Sequence, residues 1–177
     1  MLVLQPVAGI DGGNVDGYVK FRCCGVLFNE VDGTFGSVTA KFTATKDDFS
    51  DAVIELSADV NSLNTGVEQR NNHLKSADFF NAAQFSTLTF KSTSFKKTGD
   101  KTYQLTGDLT LHGVTKSVTL TATFNGTVVN PQSKKTVAGF KVTGTIKRSD
   151  FGIATGMPPT MLSDEVSLVA NTEFQKS

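Results

Sequence analysis

The chain alternates apolar and polar residues over eight short stretches, and nearly every stretch carries a small residue among its apolar positions. From Ala52 to Val60 every second residue is apolar, whereas most of the residues between them are polar. A period of two puts the two sets on opposite faces of a strand, so each stretch predicts a β-strand with one buried face. The apolar positions of the predicted strands fall within 19–23, 38–44, 52–60, 88–90, 103–111, 118–124, 138–146 and 166–174.

These strands predict an all-β fold in which an eight-stranded antiparallel sheet closes into a barrel. A barrel of this size is filled by its own side chains or holds one small ligand. Small residues on the inward face favour an apolar cavity, because each leaves space that a larger side chain would fill. The alternative is a filled barrel in which small residues accommodate bulky neighbours. The inward small residues are Ala40, Ala44, Ala52, Ala58, Gly107, Ala122, Gly144 and Ala170.

The alternation is broken in two places. Thr65 and Glu68 have the spacing of a capping box, which predicts one short helix at about residues 66–77 with Val67, Asn71 and Leu74 on the face that closes one end of the barrel. The second break, at about residues 149–163, contains glycines, prolines and apolar side chains, so it predicts an irregular loop. The loop is either a ligand lid or a plug packed on the core.

Shorter signals predict the connections between strands. Asp32-Gly33, Thr98-Gly99-Asp100, His112-Gly113 and residues 130–133 predict turns. Asn125-Gly126 lies too close to the turn at 130–133 to be a hairpin, so it predicts a β-bulge in one long strand.

Length and charge agree with a single binding domain. The 177 residues predict an irregular N-terminal segment, 1–16, and one barrel domain, 17–177. A formal net charge of zero argues against nucleic acid as a partner, and no apolar run is long enough to span a bilayer. The N-terminus lacks the basic region of a signal peptide, so we expect a periplasmic or secreted protein if a signal was removed and a cytoplasmic one otherwise.

Polar residues offer little catalytic or metal-binding chemistry. His73 lies near Arg70, Glu68 and Asp78 in sequence, but the cap already explains Glu68, and Arg70 is more simply an anchor for the turn at Asp78. Cys23 and Cys24 are adjacent, so a disulfide between them is disfavoured, and the cysteine and histidine spacing predicts no metal site. We therefore expect a protein that is not an enzyme, with no metal and no cofactor.

Four segments, in this order, resemble the YceI-like family of bacterial lipid-binding proteins. They are NTGVEQRNNHLKSADFF at 64–80, FSTLTFKS at 85–92, LTGDLTLHGVTK at 105–116 and RSDFG at 148–152. The resemblance spans roughly residues 31 to 176, and the first strand departs from the family pattern at 12–17 and 23–25. It implies a lipocalin-like barrel with a long apolar tunnel for a polyisoprenoid or a fatty amide, in proteins that are commonly exported.

The predicted function is to bind and to carry or sequester such a lipid, whose length is limited by the closed end of the tunnel. The tunnel is predicted from the inward positions and the apolar residues of the helix and loop, namely Phe21, Ala40, Phe42, Ile54, Leu56, Ala58, Phe79, Phe80, Phe90, Leu105, Leu109, Leu120, Ala122, Phe140, Val142, Phe151, Met157, Met161 and Leu168. Arg70, His73 and Arg148 are candidates for the lipid head group. A stress-related interaction protein with a filled barrel, an enzyme acting through His73, and a homodimer stay open.

Overall fold

The computed structural model describes residues 18–24, 30–46 and 48–175, so the predicted irregular segment 1–16 lies outside the described residues. The described chain forms one antiparallel sheet and one α-helix. In chain order the elements are β1 (Tyr18–Cys24), β2 (Glu30–Phe35), β3 (Val38–Thr43), β4 (Val53–Asp59), β5 (Leu63–Asn64), α1 (Glu68–Lys75), β6 (Thr87–Lys97), β7 (Thr102–Leu111), β8 (Val114–Val129), β9 (Thr136–Lys147) and β10 (Glu165–Gln175).

The sheet curls around a single apolar core in the order β3-β4-β6-β7-β8-β9-β10-β1-β2-β5. Its two ends are joined by the chain itself. β2 pairs with β1 and continues into β3, which pairs with β4, after a bend at only Gly36 and Ser37. β4 likewise continues through a 3₁₀ turn, Val60–Ser62, into β5, which pairs with β2. The predicted lipocalin-like barrel is therefore the observed architecture.

The corner where these two segments bend is held by one side chain. The hydroxyl oxygen of Ser62 accepts hydrogen bonds from the backbone N–H groups of Gly36, at 3.0 Å, and Ser37, at 3.1 Å. Ten strands are observed where eight were predicted, because β2 and β5 were not predicted as strands. Residues 30–43 and residues 53–64 are each one bent path that is divided into two strands at the corner.

Asp32-Gly33 was predicted as a turn, and this prediction was wrong. Both residues lie inside β2, where Gly33 is opposite Phe21 of β1. A Cβ atom at residue 33 would stand 2.1 Å from Cζ of Phe21, so the Phe21 ring occupies the space where a side chain would be. The exposed carboxylate of Asp32 accepts hydrogen bonds from the Arg22 guanidinium, at 2.6 and 2.9 Å, and these contacts lower its pKa. Gly33 therefore allows the Phe21 ring to pack closely against β2 and does not form a turn.

The other connections follow the predictions more closely. The chain reverses between β6 and β7, β7 and β8, and β8 and β9 at the predicted positions. The β8–β9 register shifts between Phe124 and Gly126, which confirms the predicted bulge. Gly126 has a φ of 120°, a value that favours glycine.

Helix α1 is shorter than predicted, and it begins without the predicted capping box. Its N-cap is Val67, which has no capping side chain. The Thr65 hydroxyl instead donates to Oδ1 of Asn71 at 2.7 Å and accepts from Nε of Arg70 at 2.9 Å. Thr65 lies two residues before the N-cap, so its side chain ties the preceding loop to the helix instead of covering the first amides.

Candidate ligand-binding cavity

The barrel interior contains an apolar cavity that extends from helix α1 and the loop after β9 toward the middle of the sheet. Nine strands, α1, the segment after α1 and the loop after β9 contribute to its wall. The polar exceptions among the described lining residues are Thr143, Thr172 and Arg148, with Cys23 as the thiol. The aliphatic and aromatic lining consists of Val19, Phe21, Phe35, Ala40, Ile54, Leu56, Leu74, Phe79, Phe80, Leu88, Phe90, Leu105, Leu109, Leu111, Leu120, Ala122, Phe140, Val142, Ile146, Ile153, Leu162, Val166, Leu168, Ala170 and Phe174.

The cavity is narrow and has an opening to solvent. Its interior volume is about 150 Å³, within about 1430 Å³ of space free of protein atoms that includes the open mouth. An apolar cavity of comparable interior volume in a protein core stays dry and accepts small apolar molecules. A cavity of this volume with an open mouth suits a flexible apolar chain that enters from the mouth better than a bulky, rigid molecule.

Most of the predicted tunnel residues lie in this wall. Those that line the cavity are Phe21, Ala40, Ile54, Leu56, Phe79, Phe80, Phe90, Leu105, Leu109, Leu120, Ala122, Phe140, Val142 and Leu168. Each strand residue among them occupies an inward position of the alternation, so the period of two was sufficient to identify it.

Five predicted tunnel residues lie outside the lining. Phe42 is fully buried behind the Phe140 ring, and Ala58 is enclosed between neighbouring strands. Phe151 is buried under the loop after β9, while Met157 packs on the outside of the core and Met161 is 49% exposed. Inward direction and apolar character do not reveal how far along the barrel axis a residue lies.

Other lining residues were not among the predicted tunnel residues, although Ala170 was predicted as a small inward residue and Leu74 as part of the helix face that closes the barrel. Val19, Leu88, Leu111, Ile146, Val166, Ala170 and Phe174 belong to the same alternating sets, so the signal was present. Phe35 was hidden by the misassigned turn at Asp32-Gly33. Leu74, Ile153 and Leu162 reach the cavity from the helix and the loop, where no strand period applies.

The small inward residues divide into two groups. Ala40, Ala122 and Ala170 line the cavity, as expected if they leave space for a ligand. Cβ atoms at Gly107 and Gly144 would instead stand 2.5 Å from the Phe90 ring and 2.2 Å from Leu120. Those two glycines accommodate bulky neighbours, and Ala44, Ala52 and Ala58 are buried outside the lining.

Arg148 organises the loop that closes one end of the barrel. The residue is 5% exposed and stands in a 3₁₀ turn, Arg148–Phe151, that follows β9. Its guanidinium has five N–H donors, and five hydrogen bonds of 2.6 to 3.1 Å connect it to backbone carbonyls of the loop. The accepting carbonyls are those of Ile153, Ala154, Met157, Leu162 and Ser163.

Further contacts attach this loop to the barrel. The Ser149 hydroxyl donates to Asp164 at 2.8 Å, and this bond, with the Ser149 backbone N–H, lowers the pKa of the carboxyl group. His112 Nδ1 lies 3.0 Å from the carbonyl oxygen of Phe151. Phe151, Ile153 and Ala154 are buried in the core cluster. The loop is thus a well-packed plug at its start, and it also lines the cavity through Ile153 and Leu162.

The three head-group candidates have different surroundings. Arg148 faces the cavity wall, but its donors are all directed at the loop carbonyls described above. Arg70 is half-buried and donates to the Thr65 hydroxyl and carbonyl, both at 2.9 Å, so the predicted contact with Asp78 is replaced by a contact with the preceding loop. His73 is exposed, and its ring packs edge-on against Phe79, with the ring centres 4.9 Å apart.

Among the described residues, no group of three or more His, Cys, Asp or Glu side chains is arranged to hold a metal ion. No helix in the described ranges is long and apolar enough to cross a membrane.

The chain is similar in sequence to a known family of proteins. A family model for the YceI-like domain matches residues 14–174. Protein YceI of Salmonella newport (strain SL254) is 39% identical over 164 residues, which cover 93% of this chain and 84% of that protein. Protein YceI of Salmonella arizonae is also 39% identical over 164 residues, which cover 93% of this chain and 84% of that protein.

Solved structures share the architecture. The YCEI protein of Campylobacter jejuni superimposes with a TM-score of 0.78 at 30% identity, covering 86% of this chain and 88% of that one. Burkholderia cenocepacia BcnA gives a TM-score of 0.80 at 23% identity, with 89% and 95% coverage. A polyisoprenoid binding domain from Saccharophagus degradans, implicated in plant cell wall breakdown, gives 0.69 at 15% identity, with 97% and 100% coverage. The last two likenesses concern the fold alone.

Proposed function

The chain belongs to the YceI-like family, and from that premise we propose that it binds a long apolar lipid of the polyisoprenoid class inside its barrel and carries or sequesters it. The observation that carries the proposal is the cavity, whose wall is formed almost wholly by aliphatic and aromatic side chains. The description of the Saccharophagus degradans domain as polyisoprenoid binding supports the choice of lipid class. No cofactor other than the bound lipid is required.

The energetics of apolar burial favour a chain of several isoprene units. Each carbon-sized group removed from water contributes about 0.8 kcal/mol. Micromolar binding requires a net free energy of about −8 kcal/mol after an association cost of about 4–15 kcal/mol. The gross gain must therefore be about 12–23 kcal/mol, which corresponds to about 15–29 buried carbons, or roughly three to six isoprene units. The interior of about 150 Å³ encloses only part of such a chain, so the rest would lie in the open part of the cavity toward the mouth.

The cavity-lining subset of the predicted tunnel residues is our proposal for the tail-binding wall. We assign the head group to the mouth near α1, where His73 is exposed and Arg70 is half-buried. Arg148 is a poor candidate for this contact, because a head group would have to replace its bonds to the loop carbonyls.

The test is to purify the protein under native conditions, extract it with organic solvent and identify the released lipid by mass spectrometry. We expect a near-stoichiometric apolar lipid, and we expect the lipid-free protein to take up a prenylated quinone in a fluorescence titration. Absence of both the extracted lipid and the uptake would favour the filled-barrel hypothesis.

We also propose that the protein acts by binding rather than by catalysis. His73 packs against Phe79 at the surface, and Glu68 and Asp78 are exposed. His73→Gln should therefore leave uptake of the prenylated quinone nearly intact, because burial of the apolar tail contributes most of the binding free energy and a head-group contact contributes little. A chemically altered lipid that accumulates with the wild-type protein and disappears with His73→Gln would instead support an enzyme.

The place of action is part of the same proposal. The resemblance to the YceI-like family implies export, so we propose that this protein is exported. Fractionation of cells that express the gene from its own promoter is expected to recover the protein with periplasmic or secreted markers, and recovery with cytoplasmic markers would contradict this assignment.

A further inference from the structure

Seven aromatic rings gather at the end of the barrel opposite α1. We call them the aromatic floor: Phe42, Phe49, Phe95, Tyr103, Phe124, Phe140 and Phe174. Six of them come from six different strands, and Phe49 comes from the connection between β3 and β4. All except the half-buried Phe124 are buried.

The aromatic floor has two layers. Phe140 and Phe174 line the cavity and form its upper layer. Phe42 lies behind both of them, with its ring centre 5.1 Å from each ring centre, and it is 0% exposed. Phe95 stacks on Tyr103 at 4.6 Å, and burial raises the pKa of the Tyr103 hydroxyl. Within the described residues, a ligand that reaches Phe140 and Phe174 therefore meets the packed rings of the aromatic floor.

The lower layer is held in place by the loop that carries Phe49. Phe49 has a left-handed backbone, with φ of 58°, and its ring packs edge-on against Phe42, Phe124 and Phe140. The carboxylate of Asp51 accepts hydrogen bonds from the backbone N–H groups of Thr45 and Lys46 and from the Thr45 hydroxyl. This turn holds the Phe49 side chain inside the end of the barrel.

The other end of the cavity is closed more loosely. There buried Phe79 and Ile153 are accompanied by three half-buried side chains, which are Leu74 of α1, Phe80 of the segment after α1 and Leu162 of the loop after β9. Half-buried side chains can move aside at less cost than interlocked buried rings. Among the described residues, this end therefore offers a lipid chain an easier entrance than the aromatic floor does.

We propose that Phe140 and Phe174 set the longest lipid chain that the barrel encloses, with Phe42 as the support that keeps their rings in place. This inference rests on the proposed lipid-binding function. Carbons added after the chain end reaches the floor remain in water at the mouth and contribute no further burial. Affinity should rise with chain length and then level off at a length defined by the floor.

The experiment measures affinity for a series of dansyl-labelled polyprenyl alcohols of increasing length, using fluorescence titration of delipidated protein. Phe140→Ala and Phe174→Ala should move the plateau to chains at least one isoprene unit longer. For the first chain beyond the wild-type limit we expect a gain of about tenfold in affinity, within the discrimination typical of apolar pockets.

Phe151→Ala is the matched control. Phe151 is 1% exposed and outside the lining, so its truncation removes the same buried ring without enlarging the cavity. Its plateau should coincide with that of the wild type. If the alanine variants do not fold, Phe140→Leu and Phe174→Leu create smaller spaces at the same positions, and a smaller shift in the same direction is expected.

The outcomes separate the two proposals. Folded floor variants that keep the wild-type plateau would overturn the role of the aromatic floor while leaving lipid binding intact. A plateau that shifts equally in Phe151→Ala would also overturn it, because the effect would then follow from lost stability. Wild-type protein that binds no chain of any length would contradict the proposed function itself.

Discussion

Ala122 and Ala58 are both 1% exposed on inward faces of the sheet, yet only Ala122 borders the cavity. Ala122 on β8 lies opposite Tyr103 of β7 and Val142 of β9. Ala58 on β4 lies opposite Val38 and Leu88 and is enclosed by packed neighbours. The two alanines have the same solvent exposure, but one faces empty space and the other faces side chains.

The same substitution at these two sites should therefore have opposite consequences. Ala122→Trp should place the indole in ligand space, change the stability of the lipid-free protein little and lower lipid affinity at least tenfold, about 1.4 kcal/mol. Ala58→Trp should overpack the core and lower the free energy of unfolding by about 1–3 kcal/mol or more. Urea denaturation and fluorescence titration measure the two effects. A destabilised Ala122→Trp that binds lipid normally once folded would show that the cavity is misplaced.

Arg148→Met should destabilise the protein by about 3 kcal/mol or more. The substitution removes the guanidinium that donates hydrogen bonds to five loop carbonyls. A hydrogen bond to a charged group contributes about 1.5–3 kcal/mol, and these contributions are not additive. Arg148→Lys should restore only part of the loss, because an ammonium has three donors and no planar fork. Urea denaturation tests both variants, and amide hydrogen exchange should increase within 149–164. Lys147→Met, at the exposed neighbouring residue, is the control. Equal stability of Lys147→Met and Arg148→Met would contradict the proposal that Arg148 holds the loop.

Gly33→Ala and Gly36→Ala form a pair that tests close packing at the barrel corner. A Cβ at residue 33 would collide with the Phe21 ring, whereas a Cβ at residue 36 would have no atom within 4 Å. We expect Gly33→Ala to lower the free energy of unfolding by about 1–3 kcal/mol and to weaken lipid binding as Phe21 is pushed into the cavity. Gly36→Ala should be neutral or up to about 1 kcal/mol more stable, since alanine restricts the unfolded chain. Equal thermal midpoints for the two variants would contradict the assignment.

Acid should weaken the loop beneath the aromatic floor through Asp51. The hydrogen bond from the Thr45 hydroxyl, with backbone N–H groups, lowers the pKa of Asp51 from 3.8 to about 2. A carboxyl whose folded-state pKa is depressed stabilises the protein fully above its unfolded pKa, and this contribution is lost as the pH falls from about 4 toward 2. Asp51→Asn removes the titrating group, so its stability deficit relative to wild type should shrink over that range.

Denaturation midpoints measured between about pH 6 and pH 2 test this expectation. Asp78→Asn, at an exposed aspartate on another part of the surface, is the control and should follow the wild-type profile. A deficit of Asp51→Asn that stays constant across the whole range would argue against the contribution of this carboxylate.

The period-two pattern by itself determined the strand faces and most of the cavity wall. Residues such as Leu105, Leu109 and Leu120 were found because a strand must direct alternate side chains to opposite faces wherever it lies in a sheet. The Asn125-Gly126 bulge was likewise predictable, since it depends on the short distance between two turn signals in one segment.

Only the tertiary structure decided which inward residues face empty space. The sequence predicts a turn at Gly33, but in the structure this glycine makes room for the Phe21 ring. The sequence also gives Ala58 and Ala122 the same setting, and only their neighbours in the structure distinguish them. The role of Arg148 was hidden for the same reason, because its five acceptors are backbone carbonyls that carry no sequence signature. Local alternation defines a direction for each side chain, whereas packing depends on what distant segments bring to the same point in space.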